Sequence, residues 1–330
     1  MIKILYAASN NYNSKLQLSR FLEAVQDKPY QIKIAAYKDY SPNIHIDWTL
    51  DALYSPTYKH DVNLKIKNET YHIYLDQIKS YNPDLVISDL DYFTSYIAIV
   101  LNLNLWQCSS SLINFAFTKK QKYNMTIFKQ YSYIFSRCQK HVQRVVNTLD
   151  NSSHKLIYSH FGDSANPPDI QQEYTWIRPY HKIGKYSINC QHNIIVASLK
   201  NNKDIINKIK KYSDIVMFSE FYQEKYPNIF LKNLYDEQEY YCNLQNSKYF
   251  ICEGQSTFLS DAFYNGKKPF VTYNYHDFES LMNSTISEKL KFSDNLDNYV
   301  ESDRSFIPNI NPNIQYLHEK IDQFCISKNI

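Results

Sequence analysis

The residues best suited to chemistry in this chain lie around Gly254. The 330-residue sequence holds only four glycines, and Gly254 and Gly266 are two of them. So little glycine is expected mainly where no side chain fits or where φ must be positive. Gly254 follows an apolar run at 249–252, and Ser256 and Thr257 come next, in the place of helix N-caps. A strand, a glycine turn and a helix N-terminus direct backbone N–H groups at an anion such as phosphate. An ordinary strand–helix unit that binds nothing fits this motif alone equally well.

The residues after this turn favour the phosphate interpretation. Gly266 stands where a helix C-cap glycine belongs, Pro269 stops the helix, and an apolar run at 270–273 is the next strand. The block resembles the donor-binding half of glycosyltransferases with the GT-B fold. The similar branch is bacterial and archaeal, and is related to the peptidoglycan N-acetylglucosaminyltransferase and the UDP-glycosyltransferases. The matching residues are Gly254, Asp261, Ala262, Gly266, Lys268, Pro269, Phe278, Glu279 and Asn283. Two departures are Gln255, where a second glycine is usual, and Ser280, where a glutamine is usual.

The resemblance implies a nucleotide-sugar donor, with UDP as the expected nucleotide. The glycine turn would hold the diphosphate, and the glutamate that matches Glu279 contacts the donor sugar in the family. A carboxylate suits that role because it accepts hydrogen bonds from two hydroxyls. The implied donor contacts are Gly254, Gln255, Ser256, Thr257, Glu279, Ser280, Asn283 and Arg178. An ordinary surface arginine explains Arg178 equally well. No metal ion is expected, and the nucleotide sugar is a co-substrate rather than a cofactor.

The first half of the chain supplies two candidate general bases. Residues 83–89 resemble a proline–aspartate, apolar strand and final aspartate of the same glycosyltransferase branch. Inverting sugar transfer needs a group that takes the acceptor's proton, and Asp89 ends a strand that would point it at a ligand. Asp91 is the second candidate. A helix N-cap or a hydrogen-bonded strand end is the alternative role for such an aspartate.

The loop after the first strand is the main departure from the family. Members usually carry glycines there and a histidine that is the expected general base. Residues 9–14 contain neither. The sequence therefore predicts either a base elsewhere or a loss of activity. Asn10 and Ser14 of this loop are the expected acceptor contacts, because GT-B enzymes usually bind the acceptor with the N-terminal half.

A basic segment is the second feature that concerns the acceptor. Residues 92–149 contain no acidic residue. The basic residues there are Lys119, Lys120, Lys122, Lys129, Arg137, Lys140 and Arg144, interleaved with tyrosine and phenylalanine. Basic groups neutralise phosphates and aromatic rings stack on bases, so a DNA acceptor fits, with a hydroxymethylated pyrimidine flipped out of the duplex. Lys119, Lys120, Lys122 and Arg137 would then contact the acceptor. An anionic membrane surface and an ordinary solvated face remain open.

The order of elements predicts an α/β protein. Apolar runs at 2–7, 85–88 and 194–197 alternate with helical stretches, which implies parallel sheets. The expected architecture is two facing Rossmann-like domains, as in the GT-B fold, with a C-terminal helix. The predicted boundaries are 1–168 for the acceptor domain, 169–310 for the nucleotide-sugar domain and 311–330 for the closing helix.

Composition limits the classes of function. A formal net charge of +3 and a hydrophobic content of 44% argue against a general polyanion binder and for a well-packed core. The six cysteines include no C-x-x-C pair, and no apolar run reaches the roughly 20 residues that span a bilayer. We therefore predict a cytoplasmic glycosyltransferase that acts on a hydroxyl acceptor. The alternatives are a lipid-linked or cell-wall acceptor, a non-catalytic nucleotide-sugar-binding subunit, and a nucleotide-sugar 2-epimerase.

Overall fold

The chain folds into two compact units. The fold is described, in a computed structural model, for residues 1–9, 12–37, 44–50, 68–112, 116, 148–159, 173–181, 192–198, 203–219, 226–234, 236–273, 278–289, 291–298 and 314–328. The first unit holds the described residues up to Tyr180 and those from 314 onward, and the second holds those from His181 to 298.

The first unit is built on a parallel sheet. Its described strands are Ile2–Ala7 (β1), Tyr30–Tyr37 (β2), Trp48–Leu50 (β3), Leu85–Ser88 (β4), Leu105–Ser109 (β5), His154–Tyr158 (β6) and Tyr174–Ile177 (β7). They are ordered β3-β2-β1-β4-β5-β6-β7, and every neighbouring pair is parallel. The helices between them are Tyr12–Ala24 (α1), Asn68–Tyr81 (α2) and Tyr92–Val100 (α3).

Each face of this sheet has its own core, because successive side chains of a strand point to opposite faces. On one face Ile4 of β1 packs with Phe21 of α1. On the other face Leu5 of β1 packs with Phe93 and Ile97 of α3. Burial on both faces explains why the central strands are continuous apolar runs in the sequence.

The second unit repeats this plan. Its described strands are Ile194–Ser198 (β8), Ile215–Ser219 (β9), Ile229–Asn233 (β10), Tyr249–Glu253 (β11), Phe270–Thr272 (β12) and Asp294–Asn295 (β13). They are ordered β10-β9-β8-β11-β12-β13, again all parallel. The helices are Lys203–Ile209 (α4), Glu237–Asn246 (α5), Ser256–Tyr264 (α6) and Phe278–Lys289 (α7).

The boundary between the units lies later in the chain than the predicted 168/169. Strand β7 pairs with β6, which keeps the chain in the first sheet up to Tyr180. The last helix, Leu317–Lys328 (α8), also belongs to the first unit, since Leu317 and Ile321 enter its core. No helix in the described part of the chain is long and apolar enough to cross a membrane.

Both sheets place polar residues where their strand order reverses. The reversals lie between β1 and β4 and between β8 and β11. Ligands of open parallel sheets bind beyond the carboxyl ends of the strands at such points. Asp89 directly follows β4, and Gly254 directly follows β11. The two switch points are therefore the places in the fold where a ligand is expected.

Candidate functional site

Gly254 allows a close approach of α7 to the second switch point. A Cβ built at this position would lie 2.1 Å from Ser284 Oγ and 2.2 Å from the carbonyl oxygen of Ser280. Side-chain carbons do not come this close to other atoms in proteins, so only glycine fits. The Gly254 N–H also donates to Ser280 Oγ at 3.1 Å. Gly254 is therefore a glycine because no side chain fits at its position. Gly266 is the glycine with a positive φ, at 65°.

The helix that follows this turn begins at Ser256. Its N-cap is Gln255, whose side chain makes no capping hydrogen bond. The prediction that Ser256 and Thr257 occupy the cap was wrong, because both already lie in the first turn, where they are buried. The positive end of the helix dipole nevertheless lies at the switch point, as an anion site requires.

Helix α7 turns a buried polar face toward the same turn. Ser280 accepts the Gly254 N–H, and Ser284 Oγ donates to the Thr272 carbonyl at 3.3 Å. Asn283 is 1% exposed, and its Nδ2 has no hydrogen-bond partner. Glu279 is the second residue of α7, and its side chain lies outside the described part of the structure.

A buried carboxylate that the sequence analysis did not single out lies beside the glycine. Glu253 is the last residue of β11, and its Oε1 accepts a hydrogen bond from Ser198 Oγ at 2.8 Å. Ser198 ends the neighbouring strand β8, so the pair spans the point of reversal. An acidic residue at the end of an apolar run was the available signal.

Asp261, in the middle of α6, is enclosed by aromatic groups. The Tyr241 hydroxyl donates to its Oδ1 at 3.3 Å, and His181 Nδ1 lies 3.2 Å from the same oxygen. The His181 ring stacks on Tyr264 with centroids 5.2 Å apart. These contacts fix α6 against α5 and against His181 of the same unit.

At the first switch point, Asp89 is surrounded by hydroxyl groups. It is 2% exposed, and Ser9 Oγ donates to its Oδ2 at 3.2 Å. Ser14, from α1, and Ser109, from β5, also hydrogen-bond to this carboxylate. Burial raises the pKa of Asp89, the charge of Asp91 adds to the rise, and the serine hydrogen bonds lower it in part. A buried carboxylate whose pKa is raised is suited to proton transfer near neutral pH.

Asp91 has a defined structural role. It is the N-cap of α3, and its Oδ2 accepts the Thr94 N–H at 2.7 Å. Its own N–H donates to Ser88 Oγ at 2.9 Å, and the intervening Leu90 has a positive φ of 53°. Helix capping was the alternative role for an aspartate in this segment, and Asp91 has that role.

The other predicted donor and acceptor contacts lie away from the two switch points or outside the described residues. Arg178 belongs to the first unit, where its guanidinium lies 5.3 Å from the centre of the Tyr316 ring. Its backbone N–H donates to the Gln315 carbonyl at 3.0 Å, so Arg178 holds the segment that leads into α8.

Five predicted acceptor contacts lie outside the described part of the chain: Asn10, Lys119, Lys120, Lys122 and Arg137. Among the residues that are described, no group of three or more His, Cys, Asp or Glu is arranged to hold a metal ion.

Several solved structures are similar to this chain in fold. No protein-family model and no curated protein matches the sequence. The calicheamicin glycosyltransferase CalG4 matches with a TM-score of 0.60 and 11% identity, over 89% of this chain and 84% of that one. The glycosyltransferase SsfS6 of Streptomyces sp. SF2575, solved with thymidine diphosphate, matches with a TM-score of 0.56 and 11% identity, over 90% and 88%. This chain has the GT-B fold. A Listeria monocytogenes structure named as a UDP-N-acetylglucosamine 2-epimerase matches with a TM-score of 0.52 and 9% identity, over 94% and 93%. The predicted fold class is confirmed, and identities this low show the fold alone.

The packing at Gly254 leads to a prediction about stability. We expect Gly254→Ala to lower the free energy of unfolding by at least about 2 kcal/mol, because the new methyl group overlaps the backbone of α7. Denaturant unfolding of both proteins measures this difference. Adding Ser284→Ala should recover little stability, since the Ser280 carbonyl is still 2.2 Å from the new carbon. Full recovery would show that only the Ser284 hydroxyl stands in the way.

The environment of Asp89 leads to a prediction about pH. Because the pKa of Asp89 is raised in the folded protein, its contribution to stability is present at low pH and is lost as pH rises through the folded pKa. Asp89→Asn should remove this loss, so its free energy of unfolding should gain on the wild type as the pH rises above about 4, the ordinary pKa of an aspartate. Chemical denaturation of both proteins at several pH values measures the difference. Two parallel pH profiles would contradict the prediction.

Proposed function

We propose that this protein is a metal-independent glycosyltransferase that moves a sugar from a nucleoside diphosphate, UDP, to a hydroxyl acceptor. The observation that carries the proposal is that each sheet of this GT-B fold has a switch point with a polar site. One has a helix N-terminus behind a sterically required glycine, and the other has a buried carboxylate among serine hydroxyls. The first suits a diphosphate and the second suits proton removal.

The second unit would hold the donor. The N-terminal end of α6, with Gln255, Ser256 and Thr257, would stabilise the diphosphate that leaves during transfer. Glu279, at the start of α7, would accept hydrogen bonds from the sugar, and Asn283 offers a buried amide nearby on the same helix. A solved neighbour that is complexed with thymidine diphosphate supports a nucleoside diphosphate as the ligand. The choice of UDP rests on the resemblance of the sequence.

The first unit would activate the acceptor. Asp89 would take the proton from the attacking hydroxyl, with the hydroxyls of Ser9, Ser14 and Ser109 fixing the orientation of its carboxylate. This would replace the histidine that the loop after β1 lacks. Asp91 is the less suitable base because its carboxylate caps α3.

The acceptor that we propose is a hydroxymethylated pyrimidine in DNA, with the protein acting in the cytoplasm. The basic composition of residues 92–149 supports a polyanionic acceptor. A lipid-linked or cell-wall acceptor, with contact to a membrane surface, is the alternative.

Two other functions each have an observation in their favour. The loop at residues 9–14 lacks the family's glycines and histidine, which favours a non-catalytic subunit that binds a nucleotide sugar. The match to a structure named as a 2-epimerase favours interconversion of the donor sugar. Product analysis separates these functions, because a binding subunit yields no product and an epimerase converts the donor without any acceptor.

Donor binding is the first prediction of this proposal. UDP-sugars present at about 100 times their Kd should stabilise the native protein by about 2.7 kcal/mol, because a ligand that binds only the folded state adds its binding free energy. Thermal-shift measurements detect this as a higher Tm. Glu279→Ala should keep the shift caused by UDP and lose the additional shift caused by the sugar.

A matched control lies on the same helix. Glu288 is near the other end of α7, nine residues from Glu279 and thus about 13 Å along the axis. Glu288→Ala should therefore leave both the UDP shift and the sugar shift unchanged. No shift with any nucleotide would mean that the glycine turn serves packing alone, and the transferase proposal would fail.

Acceptor activation is the second prediction. Asp89→Asn should lower the rate of sugar transfer by about 10²- to 10⁴-fold without changing donor binding, because it removes the proton acceptor. Asp91→Asn is the control, since asparagine also caps helices and should preserve both stability and most of the activity. Transfer of labelled sugar to 5-hydroxymethylcytosine-containing DNA provides the assay. A loss of activity confined to Asp91→Asn would identify Asp91 as the base.

A further inference from the structure

Helix α1 carries a second buried polar side chain on the same side as its contact with Asp89. Ser14, in the first turn of α1, hydrogen-bonds to Asp89. Gln17 lies three residues further on, so it shares that side of the helix. It is only 2% exposed, and neither its Nε2 nor its Oε1 has a hydrogen-bond partner. A long amide is thus buried on the side of α1 that faces the candidate base, and neither of its polar atoms has a hydrogen-bond partner in the described part of the chain.

Such an arrangement is costly unless a ligand completes it. Buried polar atoms nearly always find a partner, and those that do not lose the hydration they had in the unfolded chain. A position that served packing alone would hold leucine or methionine at similar volume. The missing partners of Gln17 are therefore expected on the molecule that binds beside Asp89.

Gln107 shows what a structural glutamine looks like in the same unit. It lies in β5 and is fully buried, and its Nε2 donates to Ser95 Oγ at 2.9 Å, although its Oε1 has no partner. Ser95 continues this network to Ser88 Oγ at 2.9 Å. The Gln107 amide therefore links β5 to α3, whereas the Gln17 amide has no hydrogen-bond partner among the described residues.

We propose that Gln17 recognises the acceptor through a planar group that presents a hydrogen-bond donor beside an acceptor, as the edge of a pyrimidine base does. This inference rests on the proposed transfer reaction and specifies its acceptor. The Gln17 amide offers one acceptor oxygen and two N–H donors, so such an edge pairs with it through two hydrogen bonds. Asp89 would meanwhile engage the hydroxyl that receives the sugar.

The chemistry of the amide and the charge of Asp89 favour a neutral group at this position. A phosphate would offer acceptors only and would leave Gln17 Oε1 unpaired. It would also lie near the Asp89 carboxylate, which repels an anion when ionised. A pyrimidine edge would satisfy both ends of the glutamine. The N–H and C=O of an N-acyl group point in opposite directions, so such a group would pair with only one end.

The test compares neutral probes on the wild type and on Gln17→Met. The edge-bearing probe is 5-hydroxymethyl-2′-deoxycytidine. N-acetylglucosamine, whose amide N–H and C=O cannot both pair with one glutamine, and glucose, which has hydroxyls alone, are the comparison probes. We expect 5-hydroxymethyl-2′-deoxycytidine to bind the full-length protein more tightly than either sugar, as measured by titration calorimetry. Gln17→Met should weaken the binding of 5-hydroxymethyl-2′-deoxycytidine at least about tenfold and leave the binding of glucose unchanged.

Stability and donor binding provide the controls. Gln17→Met should fold at least as stably as the wild type, because it removes two unpaired buried atoms, and Gln17→Leu serves as a second apolar variant. Gln107→Met should lower stability and leave probe binding unchanged. Both Gln17 variants should keep the shift in Tm that UDP-sugars cause.

Three outcomes would overturn the inference. Equal binding of the edge-bearing probe by the wild type and Gln17→Met would show that the amide is not used. Equal affinity for glucose would assign the site to hydroxyls alone. Failure of every probe to bind, while UDP-sugars still raise the Tm, would remove the role of Gln17 and leave the transferase proposal in place.

Discussion

Burial of both sheets on both faces is the constraint on which the rest of this structure depends. Strands β4, β5, β8 and β11 are buried along their whole length, so polar groups are concentrated where the strands end. Their last residues are Ser88, Ser109, Ser198 and Glu253. Because all the strands of a unit run parallel, these ends meet at one edge of the sheet. The apolar core thus dictates where chemistry can occur in each unit before any ligand is considered.

This constraint explains why the fold could be predicted and its boundary could not. Continuous apolar runs between helical stretches are a local signal, and they identified β1, β4 and β8. Strand β7 depends on its pairing with β6, a contact between residues that are distant in sequence. Pro167 and Pro168 precede β7 in the sequence and are typical of a linker, so local composition favoured a domain break before this strand.

The candidate site shows the same division between local and tertiary information. The sequence identified Gly254 as exceptional, and either sterics or a positive φ would have explained it equally well. Only the position of α7 decides between the two. Gln17 carried no signal at all, since a glutamine in a helix is ordinarily solvated and its burial depends on what packs around α1. Glu253 differs, because a carboxylate at the end of an apolar run could have been noted from the sequence.

The two aspartates that flank Leu90 illustrate how environment assigns roles to identical groups. Asp91 is committed to the Thr94 N–H, and moving it would uncap α3. Asp89 accepts its hydrogen bonds from hydroxyls, which can rotate and can donate to a ligand instead without any change in the backbone. Burial raises the pKa of Asp89, and the hydrogen bonds of the serines lower it in part. We infer that this balance lets a carboxylate replace the histidine that the loop after β1 lacks. On this argument, adding a fixed backbone donor to Asp89 would impair it as a base more than removing one of its serines would.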